Sequence, residues 1–233
     1  MRRLLAVIVC VSLLVALTPS TTLGACTKGW QYTDHTPQQG ADGARMSWVY
    51  RTLNATDIPN GGYASEVLWV GTNGYDAGSF FVEVGITHGW SNQSIRTAYT
   101  AHWPVGGGYQ EARFNFGLTL DGTYQFTIQP STIVGRYNAQ VYYGGTTWAL
   151  GWNTHNPPVV DYSGGPEAKC NTSQINRTYV SLNKFRRASD GAFVTINNGT
   201  KTDFNNGAHL LWCSQPVTFR YYLNPSNSPN DCS

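Results

Sequence analysis

The chain has 233 residues, with 15 Lys and Arg against 13 Asp and Glu, and only 12% of its side chains are charged. So small a charge excess, spread so thinly, argues against nucleic acid or an anionic membrane as the main partner. The length suits one core and is short for two, and 25 Gly, 14 Tyr and 8 Trp fit an exported, β-rich domain with aromatic surfaces.

In chain order, residues 1–25 read as a secretory signal peptide. Arg2 and Arg3 lead, the apolar run LLAVIVCVSLLVAL follows at 4–17, and a short polar stretch reaches Gly24 and Ala25. The run is too short for a good membrane span. LGAC at 23–26 also resembles a bacterial lipoprotein cleavage box, which would lipidate Cys26. Loss of Arg2 and Arg3 brings the mature chain to neutrality. Residues 26–233 are therefore expected to be one secreted, extracellular and monomeric domain, with no membrane partner once the signal is removed. Cys10 leaves with the signal, and Cys26, Cys170, Cys213 and Cys232 remain. An even number in an exported chain implies two disulfides with three connectivities, of which Cys26–Cys232 and Cys170–Cys213 is the favoured set. The wide spacing, without C-x-x-C, argues against zinc. Sequons at Asn54, Asn92, Asn171, Asn176 and Asn198 hint at glycosylation.

After residue 26 no amphipathic helix and no internal repeat is apparent. Strand-like stretches recur at 44–51, 65–72, 79–87, 95–103, 109–116, 123–130, 137–145 and 146–152, then at 177–186, 192–197, 209–214 and 217–223. Turn chemistry such as NGG, GGG, LDGT and NPP separates them. Many short strands without intervening helices predict an all-β fold, an antiparallel, jelly-roll-like sandwich with a concave face. The core is expected from 44–152. The extension at 153–233 is expected to add edge strands and to be stapled by disulfides.

One strand carries an acid at its centre. In FFVEVGIT (80–87), Phe80, Val82, Val84 and Ile86 share one face, and Phe81, Glu83, Gly85 and Thr87 share the other. The apolar set belongs in the core, so Glu83 points away from it. Val67, Trp69 and Gly71 alternate likewise in the preceding strand, and pairing of the two strands would set Trp69 beside Glu83. Glu is scarce, occurring only at 66, 83, 111 and 167. Glu167, in DYSGGPEAKC, follows a Gly-Gly-Pro turn three residues before Cys170, so a disulfide-tied loop would position it. Two facing carboxylates have their pKa values pushed apart, one acting as acid and the other as base, which suits hydrolysis of a peptide or glycosidic bond. Glu111, in GGGYQEARF, is a third candidate acid.

The run from EVLWVGTN through FFVEVGITHGW, TAYTAHWPVGGGYQ, TYQFTIQP, YYGGTTWALGW and SGGPEA resembles secreted β-sandwich proteins of the glutamic-peptidase kind, nearest to the neprosin-like domains. The matching motifs are Val82-Glu83-Val84-Gly85 and Gly164-Gly165-Pro166-Glu167, the latter with Pro166 inserted before the acid. The resemblance implies an acid endopeptidase with Glu83 and Glu167 as its catalytic pair. Trp69, Trp90, Trp103, Tyr109 and His88 are the expected substrate-binding residues, and the substrate is an extracellular polypeptide or glycan. The five histidines show no H-E-x-x-H and no tight pair, so neither a metal nor another cofactor is expected. The aromatic residues also suit a carbohydrate-binding, lectin-like sandwich without catalysis, and the same acids suit a glycoside hydrolase.

Overall fold

The structure is a computed structural model that describes residues 28–35, 40–49, 63–71, 80–89, 96–104, 106–119, 121–153, 161–169, 178–196, 200–204, 208–214 and 218–223. Among them are fifteen strands and no helix. β1 is Lys28–His35, β2 Ala41–Val49, β3 Tyr63–Gly71, β4 Phe81–Gly89 and β5 Arg96–Trp103. β6 is Gln110–Arg113, β7 Thr123–Pro130, β8 Arg136–Tyr143, β9 Thr146–Asn153 and β10 Asp161–Lys169. β11 is Thr178–Arg187, β12 Phe193–Thr195, β13 Thr200–Phe204, β14 Ala208–Ser214 and β15 Thr218–Leu223. Two antiparallel sheets form, in the orders β13-β1-β10-β3-β4-β5-β6 and β14-β15-β11-β2-β7-β8-β9, with β12 on β11. Neither closes into a barrel, so the fold is the β-sandwich expected of so many short strands.

Period-two alternation selects what each sheet turns inward. The first sheet contributes Leu68, Val70, Val82, Val84, Ile86 and Ala98 to the layer between the sheets. The second contributes Met46, Trp48, Tyr124, Phe126, Ile128 and Val141. Trp48, Tyr124 and Phe126 are fully buried, and side chains of this size each contribute about 2–3 kcal/mol on leaving water. The tightest visible turn joins β8 to β9. Tyr143 pairs with Thr146 across Gly144 and Gly145, whose φ values of 56° and 84° are those of a two-residue hairpin that glycine adopts without steric cost.

The segment after residue 153 supplies an edge strand to each sheet, β13 and β14, as expected, but it also enters their interiors. β10 runs between β1 and β3, and β11 runs between β15 and β2. The SGGP motif is therefore strand, where a turn and loop were expected. Gly164 faces the other layer: a Cβ there would lie 2.3 Å from Met46 Cε and 2.6 Å from its Sδ, so without a side chain at 164 the Met46 tip can pack against this strand. Opposite Gly165 and Pro166, the pairing with β1 lapses between Trp30↔Glu167 and Thr33↔Gly164, where Pro166 has no N–H to donate. The backbone of Cys213 lies in β14. Cys26, Cys170 and Cys232, and the sequons at Asn54, Asn92, Asn171, Asn176 and Asn198, lie outside the described residues.

Candidate functional site

β4 is an interior strand of the first sheet, between β3 and β5. Its outward face is the odd-numbered one, and a single row crosses the sheet there as Ser163, Trp69, Glu83, Ala101 and Glu111. Trp69 thus stands directly beside Glu83, as the alternation of β3 and β4 requires. Its indole Nε1–H donates to Glu83 Oε2 at 2.6 Å. The Tyr99 hydroxyl donates to Oε1, so both carboxylate oxygens are held. Glu83 faces away from the inter-sheet core, yet it is only 5% exposed. Val67, Trp69, Tyr99, Ala101 and Phe81 form a second, small apolar cluster around it. A buried carboxylate is costly unless hydrogen-bonded, and here two donors offset that cost.

The backbone allows this arrangement at one position in particular. A Cβ on Gly85 would lie 2.3 Å from Glu66 O, 2.8 Å from Val67 Cγ1 and 3.2 Å from the Tyr99 ring. Glycine at 85 therefore lets Tyr99 lean over β4 and reach the carboxylate. From the other side of the sheet, the Thr100 hydroxyl donates to the Glu83 carbonyl at 2.7 Å and accepts the Trp152 indole N–H at 2.8 Å. Trp152 belongs to β9, so this chain ties the Glu83 backbone to the facing sheet. His102 stacks on Trp152 with centroids 4.6 Å apart. Burial lowers its pKa below the ordinary value, with the Asn153 backbone opposing part of that shift.

The remaining expected residues divide. Trp103 and Tyr109 lie on the same outward face, 43% and 38% exposed, one step along from Glu83 beside Phe81. His88 does not join them: it continues the parity of Val82, Val84 and Ile86, turns toward the other sheet and is fully buried. His102 turns inward likewise, and Glu66 is buried on that same inner face beside Ile86. Trp90 lies outside the described residues. Glu167 is in β10, where register pairs it with Ser65 and thence with Thr87, on the face of Glu83. Strands about 4.8 Å apart and a rise of about 3.3 Å per residue put the Cα atoms of Glu83 and Glu167 about 16 Å apart, on a diagonal. Only Val67 stands on that diagonal, flanked by Gly85 and Gly165. Glu111, in the row of Glu83 with Ala101 between, has its Cα about 10 Å away on the same spacing. Its carboxylate accepts from Tyr109 at 3.1 Å and from Arg113 at 3.3 Å. Among the described residues, no three His, Cys, Asp or Glu gather closely enough to hold a metal ion.

Sequence reasoning did not single out Tyr99 as a partner of Glu83, nor Thr100 and Trp152 as its support. Parity in TAYTAHW does put Tyr99 and Trp103 on one face, but it does not say which face is inward.

No protein-family model matches the chain, and no curated protein sequence matches it. Among solved structures, it is similar to scytalido-glutamic peptidase crystallised with a transition state analog inhibitor. The TM-score is 0.57 at 10% identity, over 84% of this chain and 97% of that one. At that identity the likeness is one of fold. The enzymatically active domain of bacteriophage CBA120 tailspike protein 2 matches at a TM-score of 0.36 and 12% identity, over 64% of this chain and 23% of that one, and carries no further weight.

Proposed function

We propose that the protein is an exported hydrolase of the glutamic-peptidase kind, cleaving peptide bonds in acid medium with Glu83 as its central carboxylate and Glu167 as the partner. The observation that carries this reading is the state of Glu83: a buried acid on the outward face of a central strand, gripped at both oxygens by Trp69 and Tyr99. No packing need of a sandwich calls for an acid there. The fold shared with a glutamic peptidase agrees with this reading.

In this mechanism one acid is ionised and takes a proton from water as the oxygen bonds to the peptide carbonyl carbon. The other acid is protonated and gives its proton to the departing amine as the C–N bond breaks. Trp69 and Tyr99 keep Glu83 in one rotamer, and Thr100 fixes the backbone beneath it. The mechanism requires the Glu83 and Glu167 side chains to lean toward each other over Val67, so that their carboxylates stand several ångströms closer than their Cα atoms. A proton shared by two carboxylates persists in acid, so activity is expected below about pH 5.

The test is incubation of purified protein with casein between pH 3 and 8, reading new amino termini by mass spectrometry. Cleavage in the acid range by the wild type, reduced about a hundredfold or more in Glu167→Gln, supports the pair. An unchanged rate in Glu167→Gln removes Glu167 from the mechanism, and no cleavage at any pH removes the peptidase reading.

A further inference from the structure

Phe81, Trp103 and Tyr109 form a triangle of rings, with centroids 6.2, 6.4 and 6.5 Å apart. We propose that they form a subsite for one large apolar side chain, of the Phe or Leu class, flanking the scissile bond of a polypeptide substrate. The inference rests on the peptidase reading and adds to it what the substrate presents.

Three observations place that side chain here. Phe81 belongs to both clusters: it packs against the apolar collar of Glu83 and touches both exposed rings, so the two regions are continuous. It precedes Glu83 by two residues on the same face, a step of about 6.6 Å, which is also the spacing of same-side side chains in an extended peptide. A peptide lying along β4 with its carbonyl near Glu83 therefore brings a neighbouring side chain over the rings. Finally, Trp103 and Tyr109 keep 43% and 38% of their surface exposed, in contrast to Trp69 and Tyr99 at 3% and 4%.

The same geometry disfavours a sugar. The rings are inclined to one another by 45° to 61°, a wedge instead of one flat platform. Among the described residues, polar groups at its rim bond to each other: the Tyr109 hydroxyl and Arg113 Nε–H both donate to the Glu111 carboxylate. That pair offsets its own charges, which favours an uncharged occupant beside it over Asp or Lys. Rings packed edge to face bind another aromatic or branched aliphatic group well.

The experiment uses two synthetic peptides that differ at a single position next to the cleaved bond, Phe in one and Gly in the other. In the wild type, kcat/KM should favour Phe by about tenfold or more. In Trp103→Ala that ratio should collapse toward one. Trp103→Phe should restore most of it, and Tyr142→Ala, on the other sheet, should leave it alone. Thermal unfolding of each variant confirms the fold. Absence of a Phe preference in the wild type, or an unaltered ratio in Trp103→Ala, overturns the subsite while the peptidase reading stands. Failure to cleave either peptide overturns both. Glycan retention by the wild type that is lost in Trp103→Ala would assign the rings to a sugar instead.

Discussion

The outward faces of β4 and β8 obey the same alternation and end in opposite surroundings. On β8, Asn138 and Gln140 are half-buried and Tyr142 is 46% exposed, an ordinary solvated face of a sandwich. On β4, Glu83 and Thr87 are almost wholly buried, although they too face away from the core. The difference lies in the neighbours. β8 is flanked outward by Thr127, Gln140's partner on β7, and by Ala149 on β9. β4 is flanked by Trp69 and Tyr99, whose rings close over it. Large side chains on a face that water should cover, arranged around one hydrogen-bonded acid, set this face apart from a solvated one.

The contrast can be broken at Gly85. Gly85→Val should cost about 3 kcal/mol, because its side chain meets Glu66 O and Val67 within van der Waals distance and pushes Tyr99 off Glu83. Denaturant unfolding should show the loss, and a stability near wild type would mean that the outward cluster is loosely packed. Next in size are Trp69→Phe and Tyr99→Phe. Each removes one donor from a buried carboxylate and should cost about 1–2 kcal/mol, with loss of activity beyond the loss of folded protein.

The inner face gives a pH effect. His102 has its pKa lowered by burial, so the unfolded chain binds its proton more readily than the fold does. Stability contributed by its neutral form is present above the ordinary value of 6.5 and is lost as pH falls below it toward the depressed folded value. His102→Phe should flatten that part of the curve of melting temperature against pH, and an unaltered slope would show that His102 does not contribute. The wild type would then run its acid chemistry in a range where its own fold is weakening. The smallest effect is expected on the solvated face, where Tyr142→Ala should change stability by no more than about 0.5 kcal/mol.

Much of the sandwich was legible. Twelve strand stretches were marked by β-branched and aromatic runs between turn residues, and the meeting of Trp69 with Glu83 follows from parity once β3 and β4 pair. Three strands were not legible. β1, β10 and β13 are short of the apolar alternation that marks a strand, and β10 carries Gly-Gly-Pro, whose local chemistry says turn. Its pairing with β1 and β3 on either side, and the approach of Met46 to Gly164 from the other sheet, are tertiary features that local chemistry does not carry. The inward set of β5 was hidden for a related reason. Ala98, Thr100 and His102 look like the outer set beside Tyr99 and Trp103, yet they are the inner one, because Trp152 from the opposite layer fills the room they leave. His88 was legible in principle, since it continues the even-numbered core positions of β4.

The central claim is that Glu83 does chemistry. Glu83→Gln tests it with little disturbance, since the amide oxygen can still accept from Trp69 and the amide N–H can donate to the Tyr99 oxygen. The decisive measurement is kcat/KM for peptide cleavage at acid pH by this variant beside the wild type, with melting temperatures matched. A loss of about a hundredfold or more in an intact fold is the predicted result, and a variant that cleaves as fast as the wild type would contradict it.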